Sequence, residues 1–146
     1  MRTDWDQAAE YGKSIPLDYS KPNFNKWFVD LVDKQKPDDV IFLVKKDWHE
    51  GLIGIVASRL KEHYNRPVFI ISQNGLVCKG SARSVLGFDI GLAITKCKQM
   101  NLLIKGGGHP MAGGFSIETD KLDTFKSELL KIYKKQKRVD QRSLIE

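Results

Sequence analysis

With 146 residues, 41% of them apolar and 29% charged, the chain can build one hydrophobic core but is short for two, and its balance is that of a folded soluble domain. The formal charge of +6 fits an anionic partner without demanding one, since a basic tail alone could supply it. No apolar run reaches membrane-spanning length and the first residues lack an apolar signal core, so the expectation is a cytoplasmic protein with no membrane partner.

Residues 1–23 carry scattered aromatics, Pro16 and Pro22, and no sustained period, and they read as an arm or linker. Asp4 and Asp6 have no other acidic or histidine cluster beside them, so they do not make a metal site. From Phe24 the pattern changes. Phe24, Trp27, Phe28, Leu31 and Val32 fall on one face of an amphipathic helix that Pro37 ends. The run Val40–Val44, continuous and β-branched, predicts a strand buried on both faces, of the kind found in α/β sheets.

A polar loop, Lys46 to Gly51, leads into a helix with Leu52, Ile53, Val56 and Leu60 at helical spacing up to about Tyr64. His49-Glu50 resembles half of a zinc-protease helix, but Ile53 stands where the second histidine would be. Pro67 to Ser72 predicts a second strand, and strand-helix-strand favours a right-handed crossover with parallel pairing. Gln73-Asn74-Gly75 then signals a hairpin with a type I′ turn, and the chain returns from Leu76 to about Ser84. The expected sheet is mixed and mainly parallel, flanked by helices, in the α/β class.

Alternation along the returning strand puts Lys79, Ser81 and Arg83 on one face. Two cations and a hydroxyl there could grip a phosphate, or could simply form a polar sheet surface. Gly75 and Gly80 have the separation of a P-loop, but Ser81 occupies the lysine position. Asp89 predicts the N-cap of a helix burying Ile90, Ala93, Ile94 and Cys97. Cys78 and Cys97 are too few and too isolated for a disulfide framework or a zinc site, and both read as reduced and buried.

Leu102-Leu103-Ile104 reads as a short strand leading to Gly106-Gly107-Gly108-His109-Pro110-Met111-Ala112-Gly113-Gly114. Three consecutive glycines cannot bury side chains, so the stretch is either a turn between core elements or a place where backbone N–H groups approach an anion. Phe115–Glu118 predicts a further strand. Asp120 is placed to cap a last helix that uses Leu122, Phe125, Leu129, Ile132 and Tyr133. The lysines at 131, 134, 135 and 137, with Arg138, read as the solvated end of that helix, and the chain is expected to fray beyond Lys137.

Three stretches together, Trp48 to Leu60, Lys79 to Ser84 and Gly106 to Gly114, resemble in content and order the DHHA1 domain of RecJ-type single-strand-specific exonucleases. These belong to the DHH phosphoesterase superfamily. The similarity covers roughly Val40 to Tyr133. The Trp48–Leu60 stretch points to this branch over the oligoribonuclease and phosphatase branch and over alanyl-tRNA synthetases.

The resemblance implies a DHHA1-like nucleic-acid-binding domain at 24–138, between the arm and a tail at 139–146. It implies the substrate-binding part of a metal-dependent phosphodiesterase, a 5′→3′ exonuclease of DNA repair and recombination. The partners it implies are single-stranded DNA and a DHH domain of the same parent chain. Manganese or magnesium is expected in that DHH domain, with no metal ligands in this chain. The chain has no Asp-His-His sequence, so it is expected to be part of a longer protein and inactive alone. Nucleic-acid contacts are implied at His49, Lys79, Ser81, Arg83, Ser84, Gly106, Gly107, Gly108 and His109. His109 would orient the phosphate and not act as general base. Two other readings stay open: an autonomous single-strand-binding module, or a domain of an oligoribonuclease- or phosphatase-type enzyme.

Overall fold

The computed structural model describes residues 40–46 and 49–145, with side chains described except at Glu50 and 138–145. The arm at 1–23, the helix expected from Phe24 to Val32, and Trp48 lie outside the described residues. The elements are β1 (Ile41–Lys46), α1 (Glu50–Tyr64), β2 (Val68–Asn74), β3 (Val77–Arg83), α2 (Ile90–Gln99), β4 (Lys105–Gly108), β5 (Ala112–Glu118), a 3-10 turn (Thr119–Lys121) and α3 (Leu122–Ile145).

The strands form one mixed sheet in the order β1-β2-β3-β5-β4. The α/β class is as expected, but the parallel majority is not: only β1 and β2 pair in parallel, and the other three pairs are antiparallel. The reason is topological. The β3-α2-β4 crossover does bring β4 back in the direction of β3, but β5 then reverses and inserts between them, so neither has a parallel neighbour.

Each sheet face has its own cover. On one, Phe69, Ile71, Cys78, Ala82, Phe115 and Ile117 meet the buried sides of α2 and α3, including Ile94, Phe125 and Leu129. Phe125 sits at the centre of this core, its ring 4.9 Å from that of Phe115 and edge-on to Phe69 at 6.1 Å. On the other face, α1 lays Ile53, Val56, Ala57 and Leu60 over the sheet at β2 and β3. It does not extend over β5 and β4, where Gly114, Lys105 and Gly107 remain exposed.

Local chemistry sets the element ends. Asp89 caps α2, its carboxylate accepting from Leu92 N–H at 2.9 Å as expected, and Gln136 of α3 accepts from Asp89 N–H at 2.8 Å. Asn65 ends α1 in the left-handed region, at φ 52°. The β2–β3 hairpin turns at Gly75-Leu76, one residue later than Asn-Gly predicts. Only Gly75 has positive φ, at 72°, which is the pattern of a type II′ turn and not type I′. Asp120 lies inside the 3-10 turn and is not the cap of α3. That helix continues to Ile145, past the point where sequence polarity suggests fraying. Its exposed lysines stand on the α2/α3 side, away from the uncovered face.

Candidate nucleic-acid interface

The uncovered face of β3, β5 and β4 can be built from register alone. Lys79 pairs with Ser116 and Ser116 with Lys105; Ser81 pairs with Gly114 and Gly114 with Gly107; Arg83 pairs with Ala112. His109 N–H donates to Ala112 O at 2.8 Å and extends the third row by one strand. The result is a trough floored by the small residues Ala112, Gly114 and Ser116 of β5. Arg83, Ser81 and Lys79 border it on one side, and His109, Gly107 and Lys105 on the other. Sequence alternation brought Lys79, Ser81 and Arg83 to one face correctly. Ser116 and Lys105 escaped it, because only strand order places them there.

Beyond β3, α1 forms a wall, and between them opens a cleft of about 730 Å³ that Lys79, Ser81 and Arg83 line. Arg83 is half-buried and closely held. Its Nε donates to Ser58 Oγ at 3.2 Å, and its Nη1 donates to Ser81 Oγ at 3.0 Å and to Ala82 O at 2.8 Å. Gly54 makes room for the guanidinium, since a Cβ there would stand 3.0 Å from Nη2. Among the described residues no carboxylate pairs with Arg83. Its orientation is therefore fixed by neutral acceptors, and its Nη2 lies against Gly54 of the cleft wall. Gly54 and Ser58, four residues apart on α1, lie within the Trp48–Leu60 motif; that spacing was the available signal for them.

The glycine stretch is not a loop. Gly106, Gly107 and Gly108 are β4 itself, an edge strand paired with β5. The glycines have two distinct reasons. On the core side a Cβ at Gly106 would meet Ile94 Cγ2 at 2.8 Å and one at Gly113 would meet Ile94 Cδ1 at 2.5 Å, so α2 can pack only on bare backbone. A Cβ at Gly108 would meet Ala112 O at 2.4 Å. On the trough side a Cβ at Gly107 would meet nothing within 4 Å, and one at Gly114 only Gly80 O at 3.7 Å. The fold does not require those two to be glycine. Because His109 is a hydrogen-bonded rung, alternation turns the N–H groups of Gly106 and Gly108 outward along the sheet edge.

The turn His109–Met111 is pinned by its carbonyls. His109 O accepts from Gly91 N–H at 3.1 Å, Pro110 O from Ile90 N–H at 3.0 Å, and Met111 O from Ser84 N–H at 2.8 Å. The α2 N-terminus is thus occupied by this turn. The His109 ring is exposed, with no hydrogen-bond partner among the described residues.

Two of the expected contact residues have structural partners. Ser84 is fully buried and its hydroxyl donates to Phe88 O and Val85 O, so its side chain is structural and points away from the trough. The alternation that exposes Arg83 requires this of its neighbour. His49 caps α1, its Nδ1 accepting from Gly51 N–H at 3.1 Å, which leaves Nε2 as the ring's outward donor. No cluster of three His, Cys, Asp or Glu side chains that could hold a metal ion occurs among the described residues. Cys78 and Cys97 are both free and buried, and burial with the nearby Glu128 carboxylate pushes the Cys97 thiol from 9.0 up to about 11.

The sequence pattern of the DHHA1 domain matches residues 37–135, more than half of the chain. The chain belongs to the DHHA1 family. This DHHA1 domain is 34% identical over 107 residues to the single-stranded-DNA-specific exonuclease RecJ of Bacillus subtilis, covering 71% of the chain and 13% of that protein. It is 40% identical over 82 residues to the Escherichia coli enzyme of the same name, covering 54% of the chain and 14% of that protein. The chain thus spans only a small part of these relatives. Among solved structures, RecJ of Thermus thermophilus in complex with Mn2+ superposes with a TM-score of 0.65 at 30% identity, covering 75% of this chain and 16% of that one. The C-Ala domain of Aquifex aeolicus alanyl-tRNA synthetase superposes with a TM-score of 0.58 at 17% identity, covering 64% and 89%, and shares the fold. No helix among the described residues is long and apolar enough to cross a membrane.

Proposed function

We propose that this DHHA1 domain is the substrate-gripping part of a RecJ-like single-stranded-DNA-specific exonuclease. The parent enzyme would act 5′→3′ in DNA repair and recombination in the cytoplasm. A DHH domain of the same parent chain supplies its metals, manganese or magnesium. The unit would comprise 24–138, with 1–23 as an arm and 139–146 as a tail.

The observation that carries this reading is Arg83, a half-buried guanidinium oriented by Ser58 and Ser81 with no carboxylate paired to it among the described residues. With Nε and Nη1 committed to Ser58, Ser81 and Ala82 O, the two Nη2 N–H donors remain to reach a phosphate oxygen as a charge-assisted contact. In this reading Arg83 and Ser81 hold one backbone phosphate, His49 adds a donor from the start of α1, and Lys79 meets the strand farther along β3. The outward N–H groups of Gly106 and Gly108 approach a neighbouring phosphate over the open backbone at Gly107, and His109 orients it without acting as a base. The metals that would activate water belong in this reading to the DHH domain, since no group of three His, Cys, Asp or Glu side chains among the described residues could hold one.

The test is binding of labelled oligo(dT) by the purified chain across a salt series, together with an assay for degradation with added manganese. The expected outcome is salt-sensitive binding that Arg83→Ala weakens, with no degradation. Robust metal-dependent cleavage by the purified chain would overturn the inactive-alone part. Unchanged binding on Arg83→Ala would remove the arginine from the site. An in-frame DHH-bearing segment upstream in the gene supports the nuclease over an autonomous binding module, and a parent enzyme that prefers very short RNA over long DNA would favour the oligoribonuclease type.

A further inference from the structure

We infer a second phosphate-binding position at the far end of the trough, formed by Lys79, Ser116 and Lys105. It rests on the proposed reading of Arg83, and extends it from Lys79 to Ser116 and Lys105, which no sequence motif marks.

These three residues form one row across β3, β5 and β4, with Lys79 opposite Ser116 and Ser116 opposite Lys105. Neighbouring strands lie about 4.8 Å apart, so the two lysine backbones stand about 10 Å apart with the serine midway. Both lysines are exposed and on the same sheet face, and their flexible side chains are long enough to converge above Ser116. Ser116 is half-buried, and its hydroxyl has no hydrogen-bond partner among the described residues. Two ammonium groups around an available hydroxyl recognise a phosphate oxygen as point charges, without the planar demand of an arginine.

The row has a defined relation to Arg83. It lies four residues back along β3, about 13 Å at the rise of a strand, too far for one phosphate to touch both. Between them is the row of Ser81, Gly114 and Gly107, where the missing side chains leave a flat floor. A polyanion running along β5 would therefore meet a cation at each end and bare backbone in the middle. Acidic groups mark the limits: Glu118 follows two residues after Ser116 on the same face, and Glu62 of α1 lines the cleft beside β3. The path is thus confined to the trough and ends at the Lys79–Lys105 row. A long single strand engages both positions, and a short one engages the Arg83 end alone.

The experiment compares a 5′-phosphorylated dithymidylate with a six-nucleotide oligo(dT) by titration of the 146-residue chain at low salt. Lys105→Gln and Ser116→Ala test the row; both are on exposed or half-exposed strand positions outside the core. Lys105→Gln should weaken the hexamer by about three- to tenfold and reduce its salt slope by about 0.7, the share of one phosphate contact on a single strand, while leaving the dinucleotide unchanged. Ser116→Ala should follow in the same direction. Arg83→Ala should weaken both ligands. Equal weakening of both lengths by Lys105→Gln, or no effect on either, overturns the second position while the Arg83 reading stands. Loss of the Arg83→Ala effect, or no binding of either ligand by the unaltered chain, overturns both.

Discussion

Arg83 on β3 and Ser58 on α1 meet through a hydrogen bond of 3.2 Å from Nε to Oγ, although 25 residues of chain separate them. The bond joins the sheet to the helix that walls the cleft, and Ser81 holds the same guanidinium from its other edge at 3.0 Å. Arg83→Ala should weaken single-strand binding by about 1–3 kcal/mol, the range of a hydrogen bond to a charged group in a desolvated site. Arg83→Lys should not restore it, because an ammonium has three donors and cannot hold both serines and Ala82 O while still presenting a donor to a phosphate. Ser58→Ala should cost less in affinity, with thermal unfolding nearly unchanged. Binding isotherms and melting curves on the four proteins check this.

The two kinds of glycine should separate in mutagenesis. Gly107→Ala meets no protein atom within 4 Å. It should leave stability unchanged or raise it by up to about 1 kcal/mol, since alanine loses less backbone entropy, while weakening DNA binding by intruding on the trough floor. Gly108→Ala drives a Cβ into Ala112 O at 2.4 Å and should destabilise the β4–β5 hairpin. Chemical denaturation beside oligonucleotide titration distinguishes them. Equal destabilisation by both would contradict this division.

Ser84→Ala should act on the fold and not on the ligand. The buried hydroxyl satisfies Phe88 O, and its loss leaves that carbonyl without this donor at a cost of about 1–3 kcal/mol. Oligonucleotide affinity, measured below the melting transition, should stay within experimental error of the unaltered chain.

Cys97 makes stability depend on alkaline pH. Its folded-state value, about 11, lies above the ordinary 9.0 because burial, and then the Glu128 carboxylate, disfavour the thiolate. A raised value means that the folded state holds the proton more tightly. The stabilisation is complete below about 9 and is lost as pH rises through about 11. The difference in unfolding free energy between the unaltered chain and Cys97→Ala should therefore be flat up to pH 9 and fall beyond it. Alkylation of Cys97 in the folded protein should be slow at pH 8 for the same reason.

Much of the site was legible before any coordinates. The continuous β-branched runs at Val40–Val44 and Pro67–Ser72 read as buried strands, and β1 and β2 stand there, with Phe42 and Val44 of β1 only partly buried. Period-two alternation put Lys79, Ser81 and Arg83 together, and Asp89 marked a helix start that Leu92 N–H bears out. The misreadings share a cause. The glycine run looked like a loop because it has no side chains to pattern, whereas its strand character comes from hydrogen bonds to β5 and from α2 pressing on the missing Cβ positions. Ser84 was grouped with Arg83 by adjacency in the motif, although adjacent strand residues face opposite ways.

By itself the sequence determined most of the element types, the cation-bearing face of β3 and the DHHA1 pattern, because these follow from local periodicity and residue chemistry within a few positions. Only the tertiary structure decided that β5 inserts between β3 and β4, since strand order depends on which faces pack and not on any local signal. That one choice turned three separate stretches into a trough, brought Ser116 and Lys105 beside Lys79, and divided the glycines into those that packing requires and those that the fold leaves free to carry a side chain.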